Sequence, residues 1–365
     1  MKLHLYFARR FFTGFAGAFA ALFLILALID MLEQVRRFDS DDVSFGAILT
    51  LTLLNVPEAA YRALPLIMIL GSIAVFIGLS RSSELVIARA AGRSALATLV
   101  APVTVAVLIG VAAVAIFNPL VAATSKAYDA RADRYAQADP SVLSISREGL
   151  WLRQGGSDGQ TVIRAARANF DGTELILTSF FTYDTDGRIL RRVEGRRATL
   201  QTGRWQVEDA KIWPLGEDGN PEANAREEAL FTIPTDLTPN QIIDSFGNPS
   251  SIPIWALPGF IQNLEDAGFS ARNHRVWFQM ELALPLLLAG MVLVAAGFTL
   301  RPARFGRTGV LVVAAIGLGF TLFFMRNFAQ ILGENAQISV ALAAWGPPTA
   351  TFLLPLGLLL HLEDG

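Results

Sequence analysis

The chain contains no cysteine, which excludes disulfide bonds, thiol catalysis and cysteine-based zinc or iron–sulfur sites. Its only lysines are Lys2, Lys126 and Lys211, and none follows a glycine, so a lysine-containing phosphate-binding loop is absent. The three histidines are far apart in the sequence, which argues against a metal site or a Ser–His–Asp triad. We therefore expect this chain to have no metal site, catalytic triad or Gly-rich phosphate loop of its own.

Charge is also scarce: 17% of the residues are charged, against about 25% in soluble proteins. Of the 62 charged residues, 37 fall between Leu120 and Arg272. A hydrophobic content of 53% excludes the fibrous and disordered classes, and a net charge of −2 argues against a nucleic-acid-binding protein. The composition indicates a membrane protein with a polar central insert.

Six charge-free windows provide the roughly 20 apolar residues that a membrane span needs. They are Phe11–Ile29, Ala63–Ser80, Ser94–Ser125, Leu282–Leu300, Thr308–Met325 and Asn335–Leu360. A seventh stretch, Ser245–Leu264, is rejected because its three prolines would break a helix in lipid. Val43–Pro57 is too short to span and is interpreted as a helical lead-in outside the membrane.

The distribution of basic residues between the connections predicts the orientation of the spans. One side carries nine: Lys2, Arg9, Arg10, Arg81, Arg89, Arg93, Arg301, Arg304 and Arg307. The short segments on the other side carry four: Arg36, Arg37, Arg62 and Arg326. Because cytoplasmic loops are enriched in lysine and arginine, we expect both termini in the cytoplasm and the central insert outside.

The insert changes from continuous apolar runs to the alternation of half-buried strands. The strand-like segments are Glu174–Tyr183, Arg188–Val193, Ala198–Gln201 and Arg204–Trp213. They are separated by the turn signals Asp171-Gly172, Asp186-Gly187 and Thr202-Gly203. Strands at this spacing, with one apolar face, predict a β-sandwich or jelly roll. No internal repeat is evident.

The predicted fold class is therefore an α-helical membrane protein with six transmembrane helices, three on each side of an inserted all-β jelly-roll domain. Residues 1–125 would hold the first three helices, 126–272 the jelly roll and 273–365 the last three helices. No charged residue lies deep in a predicted span, since Asp30, Glu281 and Arg326 lie only at span edges. This distribution argues against a proton-coupled transporter.

The cytoplasmic segment 81–93 has the features of a short helix. Ser82 or Ser83 can cap its N-terminus, Glu84 favours the helix dipole and Gly92 suits the C-terminal cap. One interpretation is a connector at the membrane surface that carries cytoplasmic arginines. The alternative is a docking helix for a cytoplasmic partner.

The Ser-Glu-Leu-x-x-x-Arg-Ala-x-Gly pattern of this segment resembles the coupling helix of the LptF/LptG permeases, the membrane subunits of the lipopolysaccharide-export ABC transporter. The resemblance covers essentially the whole chain. It includes Asn55-Val-Pro57, Gly149-Leu-Trp151 and Trp345-Gly-Pro347. The short C-terminus and the Gly-Leu-Trp segment are more similar to the LptG branch than to the LptF branch. The resemblance implies six spans divided three and three by a periplasmic jelly roll.

The resemblance also implies that Glu84, Leu85, Arg89 and Gly92 contact the ATPase. The chain itself would be non-catalytic, with ATP and Mg used by a separate ATPase subunit. The implied partners are an LptF-like permease, an LptB-like ATPase dimer, an LptC-like single-span periplasmic protein and lipopolysaccharide. The implied location is the inner membrane of a Gram-negative cell.

Arg36 and Arg37 follow the outer end of the first span, where similar permeases carry basic residues that meet lipid A phosphates. Arginine suits phosphate because its planar fork donates two parallel hydrogen bonds. The alternative is an interfacial pair that extends to ordinary lipid headgroups. Asp30 departs from the family pattern, because some relatives have a basic residue there.

Arg131 and Arg134 match a second arginine pair of these permeases, and their spacing places them on one helical face. A solvated helix face paired with nearby aspartates is the alternative. Phe23 and Phe320 belong to phenylalanine series in spans one and five, which line a lipid cavity in the family. Lipid-facing or packing surface is the ordinary explanation for such residues.

Together these features predict a permease subunit of an ATP-driven transporter. It would extract lipopolysaccharide from the outer leaflet of the inner membrane and pass it through a periplasmic jelly-roll bridge towards the outer membrane. One alternative is an ABC membrane subunit of the mechanotransmission type, which usually has four spans. The other is a membrane receptor or scaffold with a periplasmic binding domain.

Overall fold

The computed structural model describes residues 2–38, 44–82, 84, 94–135, 144–146, 149–156, 159–169, 172–215, 220–235, 237, 249–266, 270–299 and 308–364. The chain divides into two compact units. The helical unit comprises Met1–Ala136, Ser250–Trp255 and Arg272–Gly365. The sheet unit comprises Gln137–Pro249 and Ala256–Ala271.

The described helices are named here in chain order. They are α1 (Lys2–Arg37), α2 (Phe45–Arg62), α3 (Leu64–Arg81), α4 (Ala95–Ala112), α5 (Asn118–Tyr135), α6 (Leu257–Asp266), α7 (Arg272–Leu282), α8 (Leu284–Thr299), α9 (Thr308–Glu334) and α10 (Val340–Asp364). A five-residue π-helical turn, Ala113–Phe117, joins α4 to α5. All of these helices except α6 belong to the helical unit.

Five helical stretches in the described part of the chain are long and apolar enough to cross a membrane. They cover residues 3–37, 64–81, 96–132, 309–334 and 340–361. The pair α7 and α8, bent by 50°, provides a sixth if the two helices form one broken span. Each predicted apolar window therefore coincides with helix, but the fourth is interrupted. The predicted lead-in helix before the second span is α2.

Prolines explain two helix breaks in this unit. Pro65 lies in the first turn of α3, after the break at Ala63, and Pro285 lies in the first turn of α8, after the break at Ala283. A proline within a continuous helix removes one backbone donor, and its ring clashes with the carbonyl group four residues earlier. The sequence consequently starts a new helix at both places.

Helix α8 lies at the centre of the helical unit and packs against α3, α4 and α10. Nearly all of its residues are buried, as expected for a helix that is apolar on every side. Glycines allow the close approach of these helices. A Cβ atom added at Gly110 would lie 2.5 Å from the Cα of Pro285, and one added at Gly290 would lie 2.8 Å from the carbonyl carbon of Thr351.

Helices α1 and α9 show the opposite distribution of apolar surface. Only 6% of the most apolar window of α1 and 17% of that of α9 is buried within the chain, compared with 56% in α3. Large apolar side chains of both helices are therefore exposed. Such surface is stable only in lipid or against another apolar chain.

The sheet unit contains one antiparallel sheet, in which each described strand pairs with its neighbours in sequence. The strands are β1 (Ser144–Ser146), β2 (Gly149–Gly156), β3 (Gly159–Ala168), β4 (Glu174–Tyr183), β5 (Ile189–Gln201), β6 (Arg204–Pro214) and β7 (Arg226–Pro234). The predicted turn glycines Gly172, Gly187 and Gly203 have φ values of 69°, 78° and 77°. An inserted antiparallel β domain is thus confirmed, while the jelly-roll arrangement stays a prediction.

Strand β5 corrects one detail of the sequence analysis. The segments Arg188–Val193 and Ala198–Gln201 were expected to be separate strands, but β5 runs through both and pairs with β4 and β6 along its length. Within the charged stretch between them, Glu194 and Arg197 stay in register with both neighbouring strands, although Arg196 has no partner in either register. Apolar side chains of β2 to β7 and of α6 form the core of this unit, with Phe180 and Trp205 fully buried.

Replacing Gly290 with alanine should destabilise the helical unit. The added methyl group would meet the backbone of α10, and overpacking of this kind costs about 1–3 kcal/mol. Gly357→Ala on α10 is the matched control, because nothing lies within 4 Å of its added Cβ. Alanine at that position should be neutral or stabilise the helix by up to about 1 kcal/mol. Thermal unfolding of the purified protein measures both effects, and equal shifts in Tm would contradict the packing argument.

Candidate functional site

A small apolar cluster joins the C-terminal end of α1 to α2 and α5. Phe38, Ile48, Leu51, Tyr128 and Ala132 are buried together there. This packing brings the segment that carries Arg36 and Arg37 next to the helix that carries Arg131. Residues from three separate parts of the sequence are thus held at one end of the helical unit.

Tyr128 is the polar centre of this end. Its hydroxyl group accepts hydrogen bonds from Nε2 of Gln34, at 3.0 Å, and from Nη1 of Arg37, at 3.2 Å. The Arg37 guanidinium also lies 5.5 Å from the centre of the Phe38 ring. Arg36 is exposed. One of the two predicted headgroup-binding arginines is therefore oriented by α5, and the other extends outward.

Asp30 lies on α1 between the span and these arginines. Its Oδ1 accepts hydrogen bonds from Nδ2 of Asn55, at 2.6 Å, and from Nε2 of Gln34, at 3.4 Å. Among the described residues, the carboxylate forms no ion pair with Arg36 or Arg37. Asp30 therefore contacts the amide groups of Asn55 and Gln34 rather than either arginine.

Arg131 and Arg134 both lie on α5, as their spacing predicted. Nη1 of Arg131 donates to the carbonyl oxygen of Ala127, at 3.1 Å, and the side chain is exposed. The side chain of Arg134 lies outside the described residues. Arg131 is thus three residues beyond Tyr128 on the helix that orients Arg37.

Glu84 lies near the other end of α1. Its Oε2 accepts a hydrogen bond from the Tyr6 hydroxyl group at 2.9 Å, and its Oε1 accepts one from Oγ of Ser82 at 2.8 Å. Nη2 of Arg10 lies 4.0 Å from Oε1. The carboxylate is partly exposed, so it can also reach a partner protein. The other predicted ATPase contacts, Leu85, Arg89 and Gly92, lie outside the described residues.

The phenylalanine series of α1 forms a continuous row of rings. Phe15 and Phe19 have ring centres 6.2 Å apart, and Phe19 and Phe23 have centres 6.0 Å apart. Phe15 is buried at one end of the row, whereas Phe23 is half-buried. On α9, Phe320 is 43% exposed. These two candidates for acyl-chain contact lie on the two helices whose apolar faces the chain leaves uncovered.

A second polar group is buried in the helical unit and was not predicted. It comprises Tyr61, Asn118, Glu281 and Arg326, and we call it the polar hub. The four residues are 4%, 2%, 1% and 9% exposed. The Tyr61 hydroxyl group donates to Oε2 of Glu281, and Nδ2 of Asn118 lies 3.4 Å from the same oxygen. Arg326 is buried in the same unit, but within the described part of the chain no hydrogen bond or ion pair joins it to Glu281.

Glu281 and Arg326, expected at span edges, are both buried within the helical unit, with Glu281 beside the break between α7 and α8. The predicted spans were defined as charge-free stretches, so each of them ends where a charged residue begins. A charged residue inside a longer helix therefore falls at the edge of such a stretch. Arg326 in fact lies eight residues before the end of α9. The missed signal is a tetrapeptide, Ala-Leu-Pro-Leu, that occurs at 63–66 and at 283–286. Each copy follows one hub residue by two positions.

The comparisons with known proteins identify the family. The model of the family described as "Lipopolysaccharide export system permease LptF/LptG" matches residues 5–361. The chain belongs to the LptF/LptG permease family. It is 25% identical over 361 residues, 96% of each chain, to the lipopolysaccharide export system permease protein LptG of Escherichia coli strain K12. It is also 25% identical over 339 residues to LptG of Haemophilus influenzae strain Rd, covering 92% of this chain and 91% of that protein.

Family membership confirms the resemblance drawn from the coupling segment and the three local patterns. This LptF/LptG permease has the apolar helices of a multi-pass membrane protein and an inserted β domain. Its relatives are named as permease subunits, which fits a non-catalytic role. The roles of the individual site residues stay predictions.

Tyr128→Phe should loosen the C-terminal end of α1. The change removes the acceptor for Gln34, which is only 2% exposed, and for Arg37. A buried polar group that loses its partner costs about 1–3 kcal/mol. Tyr135→Phe on the same helix is the matched control, since that side chain is 41% exposed. Thermal unfolding should show a lower Tm for the first variant only; equal effects would contradict a specific role for the Tyr128 hydroxyl group.

Proposed function

We propose that this LptF/LptG permease is a subunit of an ATP-driven transporter. It extracts lipopolysaccharide from the outer leaflet of the inner membrane of a Gram-negative cell and delivers it towards the outer membrane. Its partners are an LptF-like permease, an LptB-like ATPase dimer and an LptC-like single-span protein. ATP and Mg are used by the ATPase. The family match over residues 5–361 carries this proposal.

The exposed apolar faces of α1 and α9 support a lipid substrate. Moving an acyl chain from a bilayer into water costs about 0.8 kcal/mol per methylene group, so several chains together would cost tens of kcal/mol. A transporter avoids this cost only if the chains pass from one apolar surface to another. Phe320 on α9 and Phe23 on α1 belong to surfaces of this kind.

The polar headgroup requires a different site, and the outer end of α1 provides suitable chemistry. Arg36 and Arg131 are exposed, and Arg37 is fixed by Tyr128. Guanidinium groups bind phosphate through parallel, charge-assisted hydrogen bonds. We assign this end to the phosphates of lipid A, with Arg134 as a further contact.

The orientation follows from the distribution of basic residues and is part of the proposal. Both termini and the segment 81–93 lie in the cytoplasm, where Glu84, Leu85, Arg89 and Gly92 meet the ATPase. The β domain lies in the periplasm and joins a jelly-roll bridge. The exposed edge of a sheet suits such a bridge, because another strand can add to it.

The first test concerns coupling to the ATPase. Glu84→Arg should lower ATP hydrolysis by the purified complex at least about tenfold, because reversing a charge at a paired site leaves the partner charge unmatched. Copurification of the ATPase with the permease is measured in the same preparation. Tyr6→Phe is the control, since it removes a hydrogen bond to Glu84 and leaves the carboxylate in place. Wild-type ATPase recovery and activity with Glu84→Arg would overturn the assignment.

The second test concerns the substrate. A photoreactive amino acid at Arg36 should capture lipopolysaccharide, because the side chain lies at the exposed outer end of α1. The same amino acid at Leu5, which is 73% exposed near the opposite end of α1, is the control and should capture none. Mass spectrometry of the crosslinked lipid measures the outcome. Capture of bulk phospholipid alone at position 36 would count against the headgroup site.

A further inference from the structure

The charge-free stretch Ser245–Leu264, which its prolines exclude as a span, takes no part in the proposed transport site. Over residues 249–264 it forms a short 3₁₀ turn, an irregular segment and the first part of α6. Residues Ser250–Trp255 belong to the helical unit, whereas the residues on both sides of them belong to the sheet unit. We call Ser250–Trp255 the strap.

Hydrogen bonds fix the strap to the helical unit. Oγ of Ser250 donates to Oε1 of Glu58 on α2 at 3.0 Å. The backbone N–H of Ile254 donates to Oδ1 of Asn118 on α5 at 2.9 Å. Ser250 and Ile254 are each only 2% exposed. Irregular backbone is tolerated at the level of a membrane where it is buried in protein, and these parts of the strap meet that condition.

Trp255 differs from the rest of the strap because its ring is 70% exposed. Its Nε1 donates to the carbonyl oxygen of Ala115, at 3.2 Å, in the π-helical turn Ala113–Phe117. The only polar atom of the side chain is therefore bonded to the protein. An indole ring in this state can enter an apolar environment without leaving a donor unpaired.

The span that Trp255 contacts is itself exposed and apolar at this level. Ile116, which follows the bonded Ala115, is 71% exposed, and Leu120, one turn further along, is 52% exposed. Val111, one turn before Ala115, is 50% exposed. All belong to the helical stretch 96–132 that can cross a membrane. Trp255 thus extends an apolar surface that is stable in lipid or against another apolar chain.

The position of Trp255 along the span matches the edge of the hydrocarbon layer. Ala115 lies roughly 20 positions after Ala95, the first residue of α4, which corresponds to about 30 Å of helix. The hydrocarbon layer is about 30 Å thick. Helix α3, about 27 Å long, begins at Leu64, shortly after Glu58, which binds the strap through Ser250. Both helices place the strap at the boundary opposite the connection between α3 and α4.

We propose that Trp255 is a membrane anchor, whose ring inserts into the phospholipid bilayer between the acyl chains and the headgroups. Tryptophan is enriched at this boundary because its ring is large, apolar and polar at one edge. The anchor holds the strap at the membrane surface, where the chain leaves and re-enters the sheet unit. The proposal requires only that the spans cross a bilayer; the orientation in the proposed function assigns the anchor to the outer leaflet.

The first test measures depth with spin labels. The absence of cysteine allows single labels at Trp255→Cys, Leu108→Cys and Leu230→Cys, which replace side chains that are 70%, 62% and 51% exposed. Leu108 lies on α4, about 20 Å from its start, and Leu230 lies on β7. In phosphatidylcholine vesicles, accessibility to oxygen should decrease in the order Leu108, Trp255, Leu230. Accessibility to a water-soluble nickel complex should follow the reverse order.

The second test uses the native tryptophan and lipids that carry bromine, which quenches fluorescence on contact. The chain has six tryptophans, so the emission lost in Trp255→Phe reports position 255. Bromine near the headgroup end of the acyl chains should quench this emission more strongly than bromine near the chain ends. Trp213→Phe is the control, because Nε1 of Trp213 binds Glu222 in the sheet unit. The emission lost in that variant should be quenched by neither lipid.

The outcomes distinguish this proposal from the proposed function. Emission of Trp255 that neither lipid quenches, or a label at 255 as accessible to nickel as the one at 230, would overturn the anchor and leave the transporter assignment intact. Quenching of the permease alone that disappears in the assembled complex would assign the ring to a partner subunit, and would also overturn it. If Trp255→Cys fails to fold, the fluorescence comparison still decides. Failure of the wild-type chain to assemble with an ATPase would instead remove the proposed function.

Discussion

A carboxyl group that is almost fully buried among apolar helices requires hydrogen-bond partners. The desolvation of such a group costs several kcal/mol, and hydrogen bonds from Tyr61 and Asn118 to Glu281 offset part of this cost. These groups meet where helices break or bend: a helix break follows both Tyr61 and Glu281, and a π-helical turn precedes Asn118. The proline breaks and the π-helical turn are therefore parts of one arrangement, and they fix how the helices of this unit come together.

The packing of the other helices reflects the lipid hydrocarbon that surrounds a membrane protein. Helix α8 is apolar on every side and buried, and glycines such as Gly110 and Gly290 let its neighbours approach closely. Helices α1 and α9 are also strongly apolar but remain exposed. Apolar side chains are thus buried in the core in α8 and exposed on the outer surface in α1 and α9. For a permease of lipopolysaccharide export, that outer surface suits contact with acyl chains.

Local sequence signals predicted much of this structure. Apolar runs predicted the helices, and Gly172, Gly187 and Gly203 predicted turns because positive φ values favour glycine. The break at Ala283 was missed, although Pro285 could have indicated it. The continuity of β5 was missed because backbone pairing with two neighbours overrides a local loss of alternation. Arg36 and Arg131 were candidates from sequence, but Tyr128 was not, since its role depends on packing between distant segments.

The length of α1 has a mechanical consequence. Its 36 residues form an uninterrupted helix of about 54 Å, well beyond the roughly 30 Å thickness of the hydrocarbon layer. Tyr6 contacts the Glu84 carboxylate near one end, and Arg36 lies near the other. If a straight helix of this length tilts by about 5° about one end, its other end moves by about 5 Å, given the helical rise. A small rotation at one end of this helix thereby produces a displacement at the other end that is as large as a side chain.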